Sequence, residues 1–182
     1  MQREASASLF LRSPQFNCVI DIFAHIEEND PRKAEREMTK REDPQALDNQ
    51  LCFALYSTSL LMTKAYKPLL AEIGLTYPQY LAMLALWEED GVTVNTLGSR
   101  LYLDSGTLTP LLKRLEAAGH LTRTRSETDE RQVLIRLTPQ GRALKRKAAK
   151  IPEKAAIAAG LPLSELISLR QKLRKLRTHL AA

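Results

Sequence analysis

The 182-residue sequence contains only two cysteines, Cys18 and Cys52, which are too few for the disulfide framework of a small secreted domain. It shows no leader in which basic residues precede an apolar run and small residues. Its longest apolar stretches, such as residues 80–87, fall far short of the roughly 20 residues that cross a bilayer. These features predict a soluble protein of the reducing cytoplasm with no membrane partner.

The sequence is also poor in groups that bind metals or catalyse reactions. The three histidines, His25, His120 and His179, are isolated and lack spaced thiol or carboxylate companions. No Gly-rich phosphate loop and no Ser-His-Asp arrangement occurs. We therefore predict no metal, no cofactor and no enzymatic activity.

Basic residues outnumber acidic ones by six, and the excess lies in the second half of the chain. Residues 1–50 carry seven basic and ten acidic side chains, and residues 51–104 carry three and five. Residues 105–150 carry eleven and four, and residues 151–182 carry six and two. This asymmetry is typical of a nucleic-acid surface, because each neutralised phosphate releases counterions. A solvated basic face would leave the same pattern.

Length and average globular composition predict one domain, at residues 44–182, with an extension in front of it. Residues 1–43 combine a short apolar patch with a charged run and are predicted to lie outside the core, with a short helix at residues 32–40. Met38 opens a stretch that reads like a protein start. A translation start placed too far upstream is therefore a further interpretation of this region.

Apolar residues that recur every three or four positions predict a mainly helical domain. The first predicted helix runs from about Asp48 to Gly74 and is apolar over more than one stripe. Further helices are predicted at residues 78–90, 94–102, 105–118, 138–160 with a kink at Pro152, and from about 162 to the end. The wide first helix and the leucine seam of the last predict dimerisation helices at residues 47–73 and 140–182. Packing of that seam on the chain's own core is the alternative.

An apolar period of two at residues 121–126 and 132–137, around a polar loop, predicts a β-hairpin. Short helices followed by a hairpin form a winged helix-turn-helix, here a DNA-binding lobe at residues 77–138. The recognition helix would begin with short hydroxyl side chains that reach bases or phosphates. The predicted DNA contacts are Ser105, Thr107, Thr109, Lys113 and Arg114 on this helix and Arg123, Arg125, Asp129 and Arg131 in the wing.

Two of these assignments have alternatives. Asp129 is expected to orient the Arg131 guanidinium for the minor groove, and an exposed ion pair without function is the other interpretation. Ser105 and Thr107 would serve equally well in plain helix capping.

Residues 128–141 (TDERQVLIRLTPQG) resemble the wing and the following helix start of the MarR family of winged-helix repressors. The resemblance runs from about residue 45 to the end of the chain. It implies a mainly α fold with a small β-hairpin wing and a homodimer whose terminal helices form its body. It also implies repression of transcription by binding to a pseudo-palindromic, double-stranded DNA operator.

Within that family, the sequence resembles the organic hydroperoxide resistance regulators. The segments that carry the resemblance are residues 49–56 (NQLCFALY), 62–70 (MTKAYKPLL), 75–81 (LTYPQYL) and 101–110 (LYLDSGTLTP). It implies that an organic hydroperoxide oxidises Cys52, that DNA is then released, and that Tyr56, Tyr66 and Tyr77 supply hydroxyls around the thiol.

The position of Cys52 agrees with this role. The first turns of a helix favour a thiolate, which is the form that attacks a peroxide. Tyr56 follows four residues later on the same helix face. Tyr66 lies about 21 Å along a straight helix, so it reaches Cys52 only if the helix breaks or a partner subunit presents it. The resemblance favours the partner, and an inert buried cysteine is the alternative.

No cysteine follows Cys52, which makes this the one-cysteine type of regulator. A sulfenic acid at Cys52 would then proceed to a mixed disulfide with a low-molecular-weight thiol, a cyclic sulfenamide or over-oxidation. Cys18 as a resolving thiol is another route. Two other functions stay open: a MarR-type repressor gated by a small aromatic ligand, and a thiol peroxidase.

Overall fold

The computed structural model describes residues 43–126, 129 and 131–181. The chain divides into two units, Met1–Ala54 and Leu55–Ala182. In the described part of the first unit, Asp43 accepts a hydrogen bond from the Gln45 N–H (2.8 Å) before a 3-10 turn at Leu47–Asn49. The extension predicted at residues 1–43 lies outside the described residues except for Asp43, and so do Cys18 and the helix expected at residues 32–40.

The described residues contain seven α-helices, and most of their ends follow from local sequence signals. The helices are α1 (Leu51–Ala71), α2 (Tyr77–Glu88), α3 (Val94–Leu101), α4 (Ser105–Ala117), α5 (Pro139–Ala148), α6 (Ile151–Ala158) and α7 (Leu163–Leu180). The side chains of Thr93, Asp104 and Thr138 cap α3, α4 and α5 by accepting a main-chain N–H of the first turn. The mainly helical fold predicted from periodicity is confirmed.

The helix predicted at residues 138–160 is two helices, so the kink expected at Pro152 is wrong. Helix α5 ends at Ala148, and α6 begins at Ile151 with Pro152 in its first turn. A proline cannot donate to the carbonyl four residues earlier, here that of Ala148. In a first turn the missing N–H breaks no helical bond, so a new helix starts where the old one could not continue.

The wing is a three-stranded antiparallel sheet in the order β1-β3-β2. Strands β2 (Leu121–Arg125) and β3 (Val133–Leu137) form the predicted hairpin, with Leu121 opposite Leu137. Strand β1 (Val92–Thr93) pairs with β3 through Val92 and Ile135 and was not predicted. Two residues are too short to show an alternating pattern.

The core of the second unit lies between the helix-turn-helix, the sheet and α2. Its most deeply buried side chains are Leu70, Tyr80, Met83, Leu86, Leu97, Leu108, Leu112, Leu115, Leu121 and Ile135. Polar contacts attach α5 to this core: Trp87 Nε1 donates to the Gly141 carbonyl (2.9 Å), and the Asp90 carboxylate accepts from the Leu137 N–H and from Arg142. In the described part of the chain, no helix is long and apolar enough to cross a membrane.

Candidate DNA interface and redox site

Helix α4 has one buried apolar face and one exposed polar face. Its leucines 108, 111, 112 and 115 are buried in the core. The helix therefore turns most of its predicted DNA-contacting side chains outward. Ser105, Thr107, Lys113 and Arg114 are exposed, and Thr109 is half-buried.

The start of α4 is held by Asp104. Its carboxylate accepts hydrogen bonds from the Thr107 main-chain N–H (2.9 Å) and from the Thr107 hydroxyl (2.8 Å). These bonds lower the pKa of Asp104 below its usual value. Thr107 thus acts in capping, as the alternative interpretation had it, while its exposed side chain remains at the outer surface of the helix.

The turn between α3 and α4 depends on Gly98. A Cβ at this position would lie 2.9 Å from the Leu103 carbonyl oxygen, so glycine lets the turn pass close to α3. An open groove of about 550 Å³ runs beside the turn, and Asn95, Ser99 and Ser105 line it. The sequence analysis missed Asn95 and Ser99. Their spacing of four on the exposed side of α3 was the only signal for them.

Two of the four wing residues are used inside the protein. Arg123 donates through Nε to Glu116 Oε2 (2.8 Å), and its main-chain N–H donates to Glu116 Oε1 (3.0 Å). The hydrogen bonds from Arg123 lower the pKa of Glu116. Arg123 therefore fastens β2 to the end of α4, whereas Arg125 is exposed. Nothing in the periodicity of the sequence indicated Glu116 as its partner.

Asp129 does not orient the Arg131 guanidinium within the described part of the wing, contrary to expectation. Its carboxylate accepts from the Arg131 main-chain N–H (3.0 Å) and from the side-chain amide of Gln132 (3.0 Å). A short aspartate side chain closes a local turn more readily than it reaches the tip of an arginine. Asp129 shapes the loop, and the Arg131 side chain stays exposed.

Cys52 is the second residue of α1, and its thiol is exposed. Tyr56 lies one turn further along the helix with 63% of its surface exposed. Helix α1 continues unbroken to Ala71, with Pro68 inside it. The break that could have brought Tyr66 back towards Cys52 in one subunit is therefore absent.

The other two predicted tyrosines lie together in the second unit. The ring centroids of Tyr66 on α1 and Tyr77 on α2 are 4.8 Å apart, and Tyr80 lies 6.0 Å from Tyr66. Burial raises the pKa of Tyr66 and of Tyr77, and the proximity of Tyr77 adds to the effect on Tyr66. Both phenols stay protonated at neutral pH and neither hydroxyl has a hydrogen-bond partner among the described residues. The pair can donate to an anionic acceptor from outside.

Comparison with known proteins identifies close relatives. The chain is 53% identical over 152 residues to the HTH-type transcriptional regulator TtmR of Methylorubrum extorquens, covering 84% of this chain and 78% of TtmR. It is 59% identical over 115 residues to the organic hydroperoxide resistance transcriptional regulator of Bacillus subtilis, covering 63% of this chain and 78% of that protein. Both values are far above the level at which a common family is in question.

A family model and a solved structure agree with these relatives. Residues 64–148 match the model described as transcriptional regulator SarA/Rot. The structure of reduced AbfR of Staphylococcus epidermidis bound to DNA superposes with a TM-score of 0.64 at 38% identity, over 78% of this chain and 99% of that one. AbfR has also been solved in overoxidised and disulfide-linked forms. The chain belongs to the MarR family of winged helix-turn-helix regulators, in the group of the organic hydroperoxide resistance regulators.

Proposed function

We propose that this protein is a cytoplasmic transcriptional repressor that binds an operator as a homodimer and releases it when an organic hydroperoxide oxidises Cys52. The observation that carries the proposal is the 59% identity to a Bacillus subtilis regulator named for organic hydroperoxide resistance. The exposed Cys52 thiol and the outward polar face of α4 supply the two chemical parts that such a regulator needs.

In the proposed complex, the two α4 helices of the dimer enter successive major grooves of a pseudo-palindromic operator. Ser105, Lys113 and Arg114 contact bases and phosphates there, and Arg125 and Arg131 of the wing reach the minor groove. Helices within residues 47–73 and 140–182 form the dimer body. Their apolar residues are exposed in the single chain, with Leu61 at 64% and Leu163 at 67%, as expected of faces that a second subunit covers.

The redox step is a two-electron transfer from sulfur to peroxide. The Cys52 thiolate attacks the outer oxygen of the hydroperoxide, an S–O bond forms, and the O–O bond breaks. Cys52 becomes a sulfenic acid, and the departing alkoxide takes a proton to become an alcohol. Tyr66 and Tyr77 of the partner subunit donate hydrogen bonds to the thiolate and to the leaving oxygen, because their raised pKa values keep both phenols protonated.

The sulfenic acid then reacts further with a small thiol, with a main-chain nitrogen or with more peroxide. Each product is larger or more polar than the thiol, so it changes the packing around the start of α1. A shift at this subunit boundary alters the distance between the two recognition helices, and DNA is released.

Operator binding before and after oxidation tests the proposal. In a Cys18→Ser background, the reduced protein is expected to bind DNA from upstream of its own coding sequence and to lose it after one equivalent of cumene hydroperoxide per Cys52. The added Cys52→Ser substitution should leave reduced binding intact and abolish release. Operator binding that survives oxidation of Cys52 would refute the sensor.

The same preparations separate the two alternatives. A thiol peroxidase would consume many equivalents of peroxide per Cys52 in the presence of a thiol donor, whereas the proposed sensor stops after one. A repressor gated by an aromatic ligand would still be induced by that ligand in the Cys52→Ser protein.

A further inference from the structure

Tyr102 occupies an unusual backbone position. It follows the last residue of α3 with φ 56° and ψ 39°, and among the described residues other than glycine it alone has a positive φ. The Leu103 N–H donates to the Gly98 carbonyl (3.0 Å) across it, which closes the left-handed turn that ends the helix. Glycine is the usual residue at such a position because a Cβ is strained there.

The side chain of Tyr102 reaches across to the C-terminal helix. The guanidinium carbon of Arg177, in the last turn of α7, lies 4.7 Å from the centroid of the Tyr102 ring. A planar guanidinium over an aromatic face is attracted by the electrons of the ring and stacks on it. This contact joins α7 to the turn that leads into the recognition helix, where Asp104 caps α4 two residues later.

We propose that Tyr102 and Arg177 form a positioning pair that sets the angle of the recognition helix α4 relative to α7. A glycine would form the turn with less strain, so what tyrosine adds is its ring, and the ring contacts Arg177. Because α7 belongs to the proposed dimer body, the pair would help to set the distance between the two recognition helices and hence the fit to the operator. The inference rests on the proposed DNA-binding function.

Four variants in the reduced protein test the pair: Tyr102→Phe, Tyr102→Gly, Arg177→Gln and the double variant Tyr102→Gly/Arg177→Gln. Operator affinity is measured by fluorescence anisotropy at several salt concentrations, and thermal unfolding is followed alongside. The matched control is Lys172→Gln, which removes one exposed positive charge from the same helix.

Tyr102→Phe keeps the ring and should bind as tightly as the parent. Tyr102→Gly and Arg177→Gln should each weaken operator binding roughly three- to tenfold. The double variant should be no weaker than either single one, since both remove the same contact. Tyr102→Gly should unfold at the same or a higher temperature, because glycine relieves the strained turn, so the loss of affinity cannot come from a damaged fold.

Three outcomes would overturn the pair. In one, both single variants bind within twofold of Lys172→Gln. In another, the losses of the two single variants add in the double variant. In the third, Arg177→Gln lowers the slope of log affinity against log salt by about one per lost phosphate contact, which marks a direct contact to DNA. A parent protein that binds no operator DNA at all would instead refute the proposed function.

Discussion

Gly141 shows how one hydrogen atom in place of a methyl group permits the docking of a helix. It lies in the first turn of α5, and a Cβ there would be 1.9 Å from the His120 carbonyl oxygen. Its own carbonyl accepts the bond from Trp87, and its N–H donates to the cap residue Thr138. Three connections from different elements thus meet at a position where no side chain fits.

Gly141→Ala should therefore lower the free energy of unfolding by roughly 3 kcal/mol, because α5 must move away from His120. Urea denaturation measures the loss. The control is Gly106→Ala, another helical glycine, whose Cβ would meet only the flexible Asp104 side chain at 3.0 Å and should change stability by less than about 1 kcal/mol. Equal stabilities of the two variants would contradict the close packing of α5.

Asp104 gives the protein a pH-dependent helix cap. Hydrogen bonds from Thr107 lower its pKa in the folded state below the ordinary 3.8. A carboxyl whose pKa is lowered by folding stabilises the fold at pH values above its unfolded pKa, and this contribution disappears as the pH falls through the folded pKa.

Asp104→Ala should thus be less stable than the parent at pH 7, and the gap should narrow as the pH falls below 3.8. Chemical denaturation at pH 7, 5 and 3 measures the gap. Asp104→Asn, which keeps a neutral acceptor for Thr107, should show a smaller gap at pH 7. A gap for Asp104→Ala that stays constant from pH 7 to pH 3 would argue against the charged cap.

At the scale of elements, the wing separates arginines that hold the structure from arginines that are free to bind. Arg123 and Arg125 lie two residues apart on β2 and look equivalent in the sequence. The Arg123 side chain is 25% exposed and bonded to Glu116 on α4, and Arg125 is exposed. Strand β1, added to the far edge of the hairpin, joins the wing to the start of α3.

This difference predicts opposite phenotypes. Arg123→Ala should reduce the free energy of unfolding by about 1 kcal/mol, since it removes a partly exposed ion pair and its hydrogen bond. Arg125→Ala should leave stability unchanged, weaken operator binding and reduce its salt dependence. Denaturation and binding at several salt concentrations on both proteins distinguish the roles, and a loss of stability in Arg125→Ala would contradict the assignment.

At the scale of the whole molecule, the proposed redox site needs two subunits. Cys52 stands near the start of the continuous helix α1, and Tyr66 belongs to the aromatic group formed with Tyr77 and Tyr80. A site assembled from Cys52 of one subunit and the tyrosines of the other would make peroxide sensing a property of the dimer. The net +7 of residues 105–150 would likewise be doubled on the surface that faces DNA.

Mixed dimers test this assembly. In a Cys18→Ser background, a Cys52→Ser chain combined with a Tyr66→Phe/Tyr77→Phe chain restores one complete site if the residues come from different subunits. We expect its one remaining Cys52 to form a sulfenic acid, captured by a dimedone probe, at the rate of the parent protein. A rate equal to that of the Tyr66→Phe/Tyr77→Phe homodimer would place the tyrosines in the same subunit as the thiol.

The sequence by itself determined the features that depend on neighbours along the chain. Helical periodicity, the caps Asp104 and Thr138 and the alternation around the wing loop predicted most helices and the β2–β3 hairpin. The same local patterns, together with the family resemblance, singled out Cys52 and the polar face of α4. Side chains that repeat with the period of a helix or strand act on their own element, so no tertiary information is needed to recognise them.

Only the tertiary structure decided which residues meet across elements. It joined Val92 to Ile135, closed Arg123 onto Glu116, and placed Arg177 over the Tyr102 ring. It also divided the wing arginines into bonded and exposed ones. Such pairs are set by the packing of the core between distant segments, and a residue's partner at that distance leaves no period or spacing in the sequence.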